Sequence, residues 1–62
     1  MRDLSKISSS AELAQAINDT NDAIARGEKA VSDGMPGASA TLVEQLRNEL
    51  EALLALKKDK GW

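Results

Sequence analysis

The side chains that could do chemistry in this chain are few. Among its 62 residues there is no His and no Cys. That removes the commonest general base, the commonest metal ligand and any thiolate nucleophile. Carboxylates remain. The run Asn18-Asp19-Thr20-Asn21-Asp22 sets Asp19 and Asp22 on one face of a helix, and hard cations take such oxygens. The run lacks the alternating acids followed by Gly of a calcium loop, and it falls inside a helical period, so it reads as a solvated face. Glu44, Glu49 and Glu51 read as a second exposed acidic face, with Arg47 close enough for helical pairs. The serines at 5, 8, 9, 10, 32 and 39 fall where an arm, caps and a turn have use for them. Gly34, Gly37 and Gly61 do not build a phosphate-cradling loop. No catalytic, cofactor or metal residue is assigned, and the chain is read as not an enzyme.

One constellation stands apart. If two helices run antiparallel, Arg2 and Lys6 come near Lys57, Lys58, Lys60 and Trp62, so five of the eight cations share one pole with the one aromatic residue. Read structurally, these are lysines that complement a helix dipole, followed by a frayed tail. Read functionally, the pole is a docking point, with Trp62 as anchor and the cations as steering. Its partner would be an acidic protein, or an anionic nucleotide or RNA that stacks on the indole. A net charge of −2 makes the nucleic-acid case the weaker one.

The elements that must position these residues are helices. Ala, Leu, Glu and Lys abound, whereas β-branched and aromatic residues are few. Residues 1–8 read as an arm that lays Leu4 and Ile7 on the fold. Ser9 with Glu12 fits a capping box and opens helix 1, expected over 9–33. Inside it, Ala16-Ile17, Ala23-Ile24 and Ala30-Val31 recur every seven residues, the period of a bundle seam. Leu13, Ile17, Ile24 and Val31 form a stripe of large residues. Ala16, Thr20, Ala23, Gly27 and Ala30 form a small one beside it, where Gly27 implies either a close helix crossing or a kink. Thr20 and Asn21 read as surface residues beside the seam; the alternative is a buried polar residue that sets register. Residues 34–39 are the turn, marked by Gly34 and Pro36-Gly37. Helix 2 is expected over 40–58, with its start at Ser39 or Thr41 and with Thr41 and Glu44 as a second capping box. Val43, Leu46, Leu50 and Leu53 trace its seam, Leu42, Leu54 and Leu56 widen the apolar face, and 59–62 is left as a tail.

The fold class expected is all-α: one antiparallel two-helix hairpin that dimerises into a four-helix bundle. A core this small seldom supplies more than ~3–5 kcal/mol, and without disulfide or metal the remaining staple is association. Two helices touch along one seam each, and both carry wider apolar faces than that. The expected oligomer interface is Leu13, Ile17, Ile24, Val31, Leu42, Leu46, Leu50, Leu53, Leu54 and Leu56. A homodimer is favoured, a further protein partner is expected, and neither signal peptide nor membrane span is visible, which points to the cytoplasm. The function expected is that of a small regulatory or inhibitory interaction module, of the kind phages and other mobile elements encode. The alternatives are an assembly subunit of a larger particle and an RNA- or nucleotide-binding regulator. In length and layout the chain resembles the small RNA-binding helical hairpins of plasmid copy control, which pair into four-helix bundles. That resemblance implies a dimer, and layout alone carries no function.

Overall fold

The computed structural model describes residues 4–62. Among them lie one 3-10 turn, Leu4–Lys6, and two α-helices, α1 (Ser10–Ser32) and α2 (Ala40–Lys60), with no strand. The helices form an antiparallel hairpin, and the 3-10 turn belongs to an arm folded back on it.

Each helix end has a local cause. Ser9 is extended and its hydroxyl accepts the Glu12 N–H at 3.2 Å. The Glu12 carboxylate reaches back to the Ser8 N–H at 3.0 Å, one residue earlier than in the usual capping box. At the other end of α1, Gly34 takes φ +67°. There the Met35 N–H bonds the Ala30 carbonyl and the Gly34 N–H bonds the Val31 carbonyl, a Schellman motif. The α2 cap is Ser39 rather than Thr41. Ser39 is extended and its hydroxyl accepts the Leu42 N–H at 3.2 Å, so the helix begins at Ala40 and Thr41 already lies in its first turn.

The expected tail is also structured. The second helix continues to Lys60, and Gly61 adopts φ +72°. The Trp62 N–H then bonds the Lys57 carbonyl at 3.0 Å and the Gly61 N–H bonds that of Lys58 at 3.2 Å. This is a second Schellman motif, and it ends α2.

The core sits towards the chain ends. Leu13, Ala16 and Leu53 form it, and Leu4, Ile7, Ile17 and Leu56 pack around them. Ile24 and Val43 extend the buried seam towards the turn. Gly27 marks a close approach there: a Cβ on it would stand 2.8 Å from Val43 Cγ2. Thr20 is buried, not on the surface, while Asn21 is exposed. Thr20 shares the small-residue edge of α1, and its hydroxyl donates to the Ala16 carbonyl at 2.8 Å, so burial leaves no unpaired polar group.

The hairpin measures 39 × 16 × 16 Å, and its Cα radius of gyration is 12.9 Å. A compact chain of this length would have a radius of about 10.6 Å. The exposed surface is 4449 Å², against about 3,900 Å² for a compact monomer of this mass. Two helices alone cannot round themselves into a globule.

Candidate interaction surface

The ten residues expected at an oligomer interface divide into three groups. Leu13, Ile24 and Leu53 are already buried inside the single hairpin. They belong to the core of the hairpin itself. Ile17, Leu46, Leu50 and Leu56 are half-buried. Val31, Leu42 and Leu54 are exposed, and Met35, which the sequence pattern did not single out, joins them.

Exposure concentrates at the turn. From Val31 to Leu42 every residue is exposed. A groove opens on each flank of the Gly27–Val43 crossing. One, of about 480 Å³, is lined by Glu28, Val31, Val43, Glu44 and Arg47 among others. The other, also about 480 Å³, has Ala23, Gly27 and Ala30 along α1, Leu42 and Leu46 along α2, and Met35 from the turn. Leu42 and Leu54 are twelve residues apart, about 120° around the helix, so they serve different flanks.

The charged residues also depart from expectation in places. Arg47 pairs with Glu28 across the hairpin. Glu49 is buried, at 9% exposure, and so does not belong to an exposed acidic face with Glu44 and Glu51. It stands one heptad after Leu42 and one before Leu56 on α2. Asp22 pairs with Arg26 at 2.8 Å, and Asp19 accepts the Gln15 side-chain N–H at 2.9 Å. Among the described residues, no three metal-binding side chains come together.

At the pole of the chain ends, Lys57 and Trp62 line one groove of about 310 Å³ with Ala14 and Ile17 of α1. Lys6, Lys58 and Lys60 are exposed, and Arg2 lies outside the described residues. Trp62 is exposed, at 37%. No helix among the described residues is long and apolar enough to cross a membrane. No protein-family model matches this chain, and neither a curated protein nor a solved structure does.

Proposed function

We propose that this chain is a non-enzymatic protein-interaction module that works as a homo-oligomer, with a dimer favoured, and that regulates or adapts a further protein. The observation that carries this is the turn half of the hairpin. There Val31, Met35 and Leu42 stand exposed around two apolar grooves, beyond the reach of the chain's own core. Each large apolar side chain left in water forgoes ~1.5–3 kcal/mol of burial, and a partner surface recovers it. Sedimentation across protein concentration tests the reading. The mass should rise reversibly from one chain to a defined oligomer. A folded monomer at every concentration would overturn it.

A second reading is an assembly subunit. It is favoured by Leu54, which is exposed on the flank opposite Leu42. Apolar patches on two flanks permit head-to-tail contacts that do not close. Growth of the mass without limit in the same experiment would select it. Binding of RNA or a nucleotide at the basic pole has less support, because the chain is net acidic at −2.

A further inference from the structure

We propose that the groove between α1 and the end of α2, lined by Lys57 and Trp62, binds a small organic acid with a flat apolar body, an aryl carboxylate. The inference goes beyond the self-association reading and does not depend on it.

The groove combines an apolar lining with one cation. Its volume is about 310 Å³, at the lower end of the ~300–1,000 Å³ usual for small-molecule sites. Leu13, Ala14 and Ile17 of α1 supply aliphatic surface, and Trp62 supplies the aromatic ring. The end of α2 sets that ring beside the cation. Gly61, at φ +72°, reverses the chain, and the Trp62 N–H bonds the Lys57 carbonyl at 3.0 Å. An indole favours a flat partner that can stack on it.

Charge decides the sign of the ligand. The chain is net acidic at −2, yet no acid lines this groove. The other described grooves differ. One sets Glu28 and Glu44 beside Arg47. One holds Glu49 and no cation. The third holds Arg26, which is already paired with Asp22. Lys57 takes part in neither ion pair among the described residues.

Helix geometry keeps the nearby acids off this face. Glu12 and Asp19 lie about 170° around α1 from the midpoint of Ala14 and Ile17. Glu51 and Asp59 stand about 120° and 160° around α2 from Lys57. Glu49 is buried, and it lies about 12 Å back along the helix. The ammonium of Lys57 is thus open to an outside anion.

The same lining favours a carboxylate over a nucleotide. A phosphate monoester carries about −1.5 to −2 at neutral pH, more than one lysine balances, and Lys58 and Lys60 do not line the groove. For sugar hydroxyls the groove has one side-chain hydroxyl, that of Ser10.

Titration of the full chain with naphthoate tests this. Trp62 is the one Trp, so the indole N–H gives a single resonance that reports the groove. It should shift saturably at millimolar ligand or below. The uncharged naphthamide should bind about two- to fivefold more weakly, and Lys57→Gln should weaken naphthoate by a similar factor, the range of an exposed ion pair. Lys58→Gln, outside the groove, should leave the affinity unchanged. Ala14→Glu, at an exposed position of α1, sets an acid in the groove and should weaken binding about tenfold or more with helicity unchanged. Adenosine monophosphate should bind more weakly than naphthoate. An indole signal that does not move, or an affinity indifferent to Lys57→Gln or to the loss of the ligand's charge, overturns the inference. Tighter binding of adenosine monophosphate overturns it in favour of a nucleotide site. None of these outcomes bears on self-association, which sedimentation decides separately.

Discussion

The two halves of the hairpin are made of the same two helices, yet they are packed very differently. In the half with the chain ends, Leu53 is 0% exposed and Leu13 1%. In the turn half, Leu42 is 55% exposed although it stands on the same helix and is the same residue type. The helices of the first half have a third layer on them, built from Leu4 and Ile7 of the arm. Those of the second half have none among the described residues. The difference teaches what a helix pair can do alone. It removes one seam from water, and every leucine beside that seam waits for another element.

The largest effect that could break this contrast is expected at Leu53. Its side chain fills the centre of the cluster, and Leu→Ala at such a site costs ~2–5 kcal/mol. That is of the order of the whole stability of a chain this small, ~3–5 kcal/mol. Leu53→Ala should therefore be largely unfolded at 25 °C by circular dichroism, or fold only when concentrated. A variant that melts like the parent would mean that the core does not lie where the burial pattern puts it.

The next effect comes from Gly27, where the two halves meet. Replacing a mid-helix Gly with Ala usually stabilises by ~1 kcal/mol. Here the new Cβ would stand 2.8 Å from Val43 Cγ2. Val43 is stiff at χ1 and cannot turn away cheaply, so the helices must move apart, at ~1–3 kcal/mol for overpacking. Gly27→Ala should thus lower the thermal midpoint. In a Val43→Ala background the same change should be neutral or stabilising. A rise in the midpoint with Val43 in place would show that the crossing is looser than the geometry indicates.

Much of the fold was legible in the sequence because its signals are local. Ser9 with Glu12, and Gly34 before Pro36, mark helix ends through hydrogen bonds that reach only a few residues. Gly61 after three lysines is a signal of the same kind and could have been read as a cap. The register of the seam was harder. Leu13, Ile17, Ile24 and Val31 stand out as the large residues of α1, but the buried edge runs through Leu13, Ala16, Thr20 and Ile24. Small residues decide how closely backbones approach, so they and not the largest side chains locate the seam. Leu46 and Leu50 were expected at the centre of the α2 seam and are only half-buried, whereas Glu49 is buried. No rule about single residue types places a carboxylate inside, and its heptad relation to Leu42 and Leu56 shows only which edge of α2 it shares.

A smaller effect sharpens the account of the turn. Ser39 caps α2 and Thr41 does not, so Ser39→Ala should cost ~1 kcal/mol and Thr41→Ala close to nothing. Denaturant midpoints of the two variants distinguish them. Equal losses would mean that the start of α2 frays between the two residues.

The smallest effect is the most direct test of the opening contrast, because it repeats the Leu53 substitution on the same helix. Leu42→Ala removes a side chain that is mostly in water, at a position where Ala is at least as good a helix former. In samples dilute enough to be monomeric, its unfolding free energy should stay within about 0.5 kcal/mol of the parent. At high concentration the same substitution should cost more, because a copy that covered Leu42 adds to stability by mass action. A loss that does not change with concentration would place Leu42 inside the monomer's own core. The turn half would then be as well packed as the half with the chain ends, and the two halves would no longer differ.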